Sequence, residues 1–294
     1  VEGAELGVAD CTVEGFVQTG QTLAIRIRGR NIYPAFDRKA RLALTFHEIE
    51  HLKDILHIRV LNAYSWVPTH EQTYPYGGII DKLYEKKQAS EKKSMEYMLY
   101  KRIMNSLYGK TCEVTKKRDG YFFGKLFNPC YAAEITSRVR MKMLSVIWPY
   151  RDNVVSILTD SVMFNKPVSL KMGKGLGEFE VQHANEDCLV LQSGVYQFAE
   201  HTPATRGFSA QNNLFERCDT HASKIKVRTL RPLHYKECVR KKDFERIAEF
   251  VWEEKSLDLN ADLKRIWPER VHRASQLLEN EFDSRPVPYS LLSP

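Results

Sequence analysis

Apolar and polar residues alternate with a period of two over residues 7–13 and 22–28, which predicts short half-buried strands. A loop through Tyr33-Pro34-Ala35-Phe36-Asp37 follows. At Thr45 the period changes: Phe46, Ile49, Leu52 and Ile55 or Leu56 recur at helical spacing behind a residue able to cap the helix. A strand over 57–67 comes next. Pro68, Pro75, Gly77 and Gly78 then break the pattern, after which 79–88 and 92–108 predict two helices joined by a short polar turn, a lysine-rich helical hairpin. Beyond it the chain predicts strands around 112–114 and 121–123 and a helix over 131–148. Two apolar runs, 153–158 and 162–165, are separated by Thr159-Asp160-Ser161, a hairpin signal with an acid at its tip. Mixed sheet continues through 188–198, and from Lys242 the pattern is mainly helical and amphipathic until Pro286 and Pro288 end it. There is no internal repeat and no low-complexity tract.

The second helix of the hairpin carries the most informative string, Lys101-Arg102-Ile103-Met104-Asn105-Ser106-Leu107-Tyr108-Gly109, which fits KxxxNSxYG. At about 100° per residue, Lys101, Asn105 and Tyr108 project from one side, a cation, an amide and a ring suited to something polyanionic and planar. Leu99, Ile103 and Leu107 fall on the other side and are expected to pack inward, with Gly109 ending the helix. Any one of these polar residues alone would describe an ordinary solvated face. The specified positions together select the binding reading.

Composition narrows the picture without deciding it. The 294 residues can bury a core in one large domain or two to three smaller ones, and no apolar run approaches a membrane span. The expectation is a soluble, intracellular protein that is not secreted, since the start lacks a basic segment followed by an apolar core. Val1 in place of an initiator Met suggests a fragment or processed product. The six cysteines include no CxxC pair, which argues for reduced thiols over a zinc ribbon. A net charge of +7 and a pI near 9.0 suit an anionic partner. The surplus is concentrated: residues 224–242 hold eight Lys or Arg and a single acid, Glu237. Lys224, Lys226 and Arg228 alternate there with Ile225 and Val227, a strand with one basic and one apolar face that could track a phosphate backbone or simply protect a solvated edge.

The KxxxNSxYG string resembles motif B of the family B (alpha-like) DNA polymerases. Smaller matches follow in order: Ile79-Ile80-Asp81-Lys82-Leu83-Tyr84 is similar to the first fingers helix, Ile135-Thr136-Ser137-Arg138-Val139-Arg140 to an ITxxxR palm segment, and Thr159-Asp160-Ser161 to the end of motif C, YxDTDS. Gly194-Val195-Tyr196 sits where a KxY element is expected, and Arg206-Gly207-Phe208 resembles an element nearer the thumb. The resemblance covers about 7–240 and is strongest over 79–164. It implies an α+β right hand, incomplete at the N-terminus: a palm-associated segment over 1–78, a helical fingers hairpin over 79–109, an antiparallel palm sheet over 110–200 and a helix-rich thumb over 201–294. It implies template-directed DNA synthesis, with primer-template DNA and dNTP as partners. Lys101 would contact the triphosphate, with Lys92 and Lys93 on the same helix as further phosphate contacts, while Asn105 and Tyr108 border the nascent base pair. Arg140, Tyr196, Arg206, Lys224, Lys226 and Arg228 would contact DNA. Compact fingers lean toward the protein-primed viral or plasmid branch by fold-level analogy.

The family's chemistry needs two Mg2+ ions held by clustered carboxylates. Asp160 matches the second motif C acid and is the expected catalytic metal ligand. Leu158 occupies the place of the first, Ser156 that of the motif tyrosine, and Gly194 that of the KxY lysine. Motif A, DxxSLYP, is missing; Arg28-Gly29-Arg30-Asn31-Ile32-Tyr33-Pro34 has its Tyr-Pro but an Arg where the acid belongs. The resemblance therefore implies a second ligand set, with any exonuclease, on an upstream polypeptide or subunit, and an isolated chain that polymerises poorly or not at all. Two other classes remain open. One is a catalytically inactive polymerase-like DNA-binding subunit. The other is a zinc metalloprotease, because His47-Glu48-Ile49-Glu50-His51 matches HExxH.

Overall fold

The computed structural model describes residues 6–15, 23–27, 30–66, 76–192, 194–205, 208, 213–217, 224–258, 265–266 and 285–292. The chain divides into two compact units, one of residues 1–151, 170–180 and 288–294, the other of 152–169 and 181–287. Among the described residues no helix is long and apolar enough to cross a membrane.

The first unit is built on β1 (Gly7–Gly15), whose Ala9, Cys11 and Val13 are buried at the period of two read from the sequence. It is the middle strand of an antiparallel sheet, flanked by β4 (Phe36–Thr45) and β5 (His57–Ser65), with a short hairpin of β2 (Ile25–Ile27) and β3 (Arg30–Ile32) beside them in sequence. β4 begins where a loop was expected. Its Asp37-Arg38-Lys39 face solvent and hide the strand signal, while Phe36, Ala40 and Leu44 are buried and a register shift opposite Val13 and Gly15 absorbs the irregular spacing.

Thr45 ends β4 and caps α1 (Phe46–Leu52): its Oγ1 accepts from Glu48 N at 3.1 Å and its own N–H donates to Glu48 Oε2 at 3.0 Å, a reciprocal capping box. The hairpin follows as α2 (Gly77–Ala89) and α3 (Met95–Thr111), then β6 (Val114–Lys117) paired with β7 (Gly120–Phe123). α4 (Pro129–Ile147) starts with Asn128 accepting from Tyr131 N and with Pro129 in its first turn, where a missing N–H is harmless. It lays Met141 and Leu144 into the cluster of Ala9, Cys11, Val13, Phe36, Leu44 and Leu52.

The second unit holds three antiparallel pairs: β8 (Val154–Leu158) with β9 (Ser161–Phe164), β10 (Cys188–Gln192) with β11 (Val195–Phe198), and β12 (Lys224–Pro232) with β13 (Phe250–Asp258). Leu214, from the short α5 (Leu214–Arg217), joins Leu189, Leu191, Val195, Ile225 and Val227 in its core. α6 (Tyr235–Lys241) and the two-residue strands β14 (Arg265–Ile266) and β15 (Arg285–Pro286) complete it. The helix-rich reading of 201–294 fails over the described residues, where the long elements are β12 and β13. Phe250-Val251-Trp252 are strand formers, and nine cross-strand pairs with β12 outweigh the helical spacing read from Lys242 onward. Residues 259–264 and 267–284 lie outside the described residues.

Candidate nucleotide-binding site

α3 is entered through Ser94, whose hydroxyl accepts from Tyr97 N at 3.2 Å. Lys92 and Lys93 lie ahead of this cap rather than on the helix, and Lys93 is in the left-handed region at φ 73°. The helix then runs two residues past Gly109, and Thr111 Oγ1 donates to Tyr108 O at 2.7 Å in its last turn. Gly109 is thus a helical residue, and a Cβ added there would meet nothing within 4 Å.

The packed side of α3 is Tyr97, Tyr100, Met104, Leu107 and buried Thr111. The expected stripe of Leu99, Ile103 and Leu107 is therefore corrected: Leu99 is 53% and Ile103 41% exposed. The reason is what faces the helix. The Lys87 ammonium lies over Tyr84 at 5.0 Å and Tyr97 at 5.6 Å, and that of Lys86 over Tyr100 at 6.0 Å, so cations on tyrosine faces form the seam where aliphatic packing was anticipated. Tyr84 also donates to the Lys174 carbonyl at 2.7 Å, tying α2 to the 170–180 loop.

With that side occupied, Lys101 and Asn105 stand exposed and Tyr108 half-open at 39%. Burial pushes the Tyr108 phenol above its ordinary value, with neighbouring Cys112 adding to the rise and the Arg140 guanidinium opposing it. The phenol stays protonated at neutral pH and can donate a hydrogen bond. Arg140, read from sequence as a DNA contact, uses Nε and Nη2 to grip Glu48 Oε1 at 2.9 and 2.6 Å. Glu48 is 2% exposed, and its other oxygen belongs to the Thr45 cap. One carboxylate thus locks α1 to α4 beneath the end of α3. Its role was missed from the sequence, although Thr45-x-x-Glu48 is a capping-box signal.

The same contacts dispose of the metalloprotease reading. His47 and His51 are neighbours at 4.1 Å between ring centroids, but Glu48, which would have to activate a zinc-bound water, is held in the core by Thr45 and Arg140. Nearby on α4, Glu134 is a second buried carboxylate. Arg138 lies 3.4 Å away, and neither oxygen has a hydrogen-bond partner. Burial raises its pKa, Arg138 pulls against the rise, and Glu48 adds to it.

In the second unit, Asp160 occupies the exposed two-residue tip of the β8–β9 hairpin, next to Thr159. Thr159 sits at φ 58°, an outlier for a β-branched residue and the kind of strain that accompanies functional turns. Tyr196 lies on β11 with its ring edge-on to Phe198 at 6.0 Å. Gly194 has φ 77°, so the lysine expected there would itself be strained. On β12, Ile225 and Val227 are buried and Lys226 and Arg228 exposed, with Glu254 of β13 pairing Lys226 at 3.4 Å. Arg206 and the side chain of Lys224 lie outside the described residues.

The mixed α and β fold, with its antiparallel sheets, is similar to that of phi29 DNA polymerase. Superposed on phi29 DNA polymerase complexed with primer-template DNA and incoming nucleotide substrates, it matches with a TM-score of 0.58 over 87% of this chain and 51% of that one, at 16% identity. The post-translocation binary complex of the phi29 enzyme with primer-template DNA gives 0.59 over 88% and 52%, again at 16% identity. The chain thus spans about half the length of the solved polymerases it matches. No curated protein matches it significantly by sequence. Over residues 9–122, which include all of α3, it matches the family model described as DNA polymerase type B, organellar and viral. The match ends before α4 and the Asp160 turn.

Proposed function

We propose that the chain performs template-directed DNA synthesis as part of a longer family B DNA polymerase, adding deoxynucleotides to a primer 3′-hydroxyl. The observation that carries this reading is the α3 face, where Lys101, Asn105 and Tyr108 stand together and open on a helix whose adjacent side is packed. The Lys101 ammonium binds the triphosphate as a compact cation able to follow it through a conformational step. Asn105 and Tyr108 border the nascent base pair, Tyr108 testing shape with its half-open ring. Residues 79–109 act as fingers, 1–78 and 110–200 as palm, and 201–294 as thumb. Primer-template DNA and dNTP are the partners, in keeping with the phi29 ternary complex of primer-template DNA and incoming nucleotide substrates. Tyr196, Lys226 and Arg228 contact the DNA backbone, together with Arg206 and Lys224, and Lys92 and Lys93 add phosphate contacts from the turn before α3.

Two Mg2+ ions need clustered oxygen ligands. Among the described residues Asp160 belongs to no group of three or more potential ligands, so the donor set present does not fit the pair, and the isolated chain polymerises poorly or not at all. The lone Asp160 and the Gly194 that stands in place of the expected lysine favour the second reading, a DNA-binding module without chemistry. Equilibrium titration with a fluorescent dNTP on a primer-template separates the two. On the polymerase reading Lys101→Ala weakens nucleotide binding by about tenfold or more while DNA affinity is kept. If the unaltered chain binds DNA but no nucleotide, the module reading stands.

A further inference from the structure

The β10–β11 hairpin brings its two flanks together: Ala199 N donates to Asp187 O at 2.9 Å beyond the Cys188 and Phe198 pair, and His201 N donates to Phe198 O at 3.0 Å. Three side chains converge at this closed end. His183 Nδ1 lies 3.4 Å and His201 Nε2 3.0 Å from the same oxygen, Glu186 Oε2. One ligand atom from each of the three falls within 4.8 Å of the others, the sole such group of three or more among the described residues. Ligand atoms 2.0–2.1 Å from a tetrahedral zinc are themselves separated by about 3.3 Å, so two of the three edges are already near the required length.

We propose that His183, Glu186 and His201 form a binding site for a single divalent transition metal of the zinc class, clamping the ends of the β10–β11 hairpin. Two imidazoles and one carboxylate favour zinc-like ions over Mg2+, which prefers an all-oxygen shell. The His183 ring is preset by stacking on Phe198, with centroids 3.9 Å apart and planes 15° from parallel, so little ordering is left for binding to impose. A groove of about 360 Å³ lined by Glu186, Asp187, Ala199, Glu200 and His201 leaves room for water at the fourth position. The site is independent of the polymerase reading, and its signal in the sequence is the His183-x-x-Glu186 spacing just before a hairpin that returns a second histidine.

Competition of the chelator-stripped chain with a chromophoric zinc indicator tests this. About one equivalent of Zn2+ binds per chain, millimolar Mg2+ does not displace it, and affinity falls about tenfold or more in His183→Ala and His201→Ala. His201→Gln, which can still hydrogen-bond Glu186 and so preserve the hairpin, must also lose affinity while its circular dichroism is unchanged. His47→Ala/His51→Ala must leave binding intact. No stoichiometric zinc, retention of it in His183→Ala/His201→Ala, or its loss in His47→Ala/His51→Ala overturns the proposal.

Discussion

The β4-β1-β5 body and the α2–α3 hairpin belong to one unit but are held together by different forces. The body buries a continuous cluster from Ala9 through Leu144, and its α1 and α4 are joined by the pairing of buried Glu48 with partly exposed Arg140. The hairpin buries nothing on α2 and only Thr111 on α3, and its seam is lysine over tyrosine. A helix fixed this way keeps its polar face and much of its apolar surface open. Rigidity is supplied by the body, and exposed chemistry is carried by the hairpin.

The largest test of this contrast is Glu48→Ala. It removes the side-chain half of the α1 capping box, the Glu48 Oε2 acceptor for Thr45 N–H, and leaves Arg140 unpaired, so unfolding stability should drop by about 3 kcal/mol, read as a lower denaturant midpoint at unchanged slope. A drop under about 1 kcal/mol would mean that the body does not depend on this carboxylate.

Paired deletions sharpen the contrast. Leu52→Ala in the body should cost about 3 kcal/mol, whereas Ile103→Ala on the hairpin should fall within about 0.5 kcal/mol. Equal costs would restore the aliphatic stripe that helical spacing suggested for α3.

That stripe shows where the sequence was legible and where it was not. Periodicity identified β1, the Thr45 cap, the hairpin and the side of α3 that presents Lys101, Asn105 and Tyr108, because each is a local property of a few residues. It missed which neighbouring face would pack, since that depends on Lys86 and Lys87 arriving from another helix. β13 was misread for the same reason: its partner strand β12 supplies a pairing that local spacing cannot register. Asp160 could be placed at a turn, but not the strain at Thr159 beside it. Arg140 could be matched to a family motif, but not seen to be gripped by Glu48.

Glu134 offers a smaller, pH-dependent test. Burial raises its folded pKa, so the folded state holds this proton more tightly than the unfolded chain, and the group's contribution to stability is lost as pH rises through the carboxylate range. Glu134→Met removes a buried carboxylate with no hydrogen-bond partner and leaves Arg138 exposed to solvent. The variant should be about 1 kcal/mol more stable at pH 7. The gain should shrink as pH falls through the raised native range of this carboxyl and level off once the ordinary carboxylate range is passed. A gain independent of pH would assign the effect to packing alone.

The smallest expected change in stability separates fold from function most cleanly. Gly109 is helical, and a Cβ there meets open space, so Gly109→Ala should strengthen the last turn of α3 by about 0.5–1 kcal/mol. Nothing among the described residues explains a glycine at that position. If the residue is glycine because a nucleotide or template strand passes close to the backbone beside Tyr108, the added methyl group lies in that path. The more stable variant should then bind dNTP about tenfold more weakly, with Lys101 and Tyr108 untouched. Thermal unfolding and dNTP titration on the same preparation decide it. A variant that gains stability and keeps its affinity would show that the α3 end faces no ligand, and the binding face would shrink to Lys101 and Asn105.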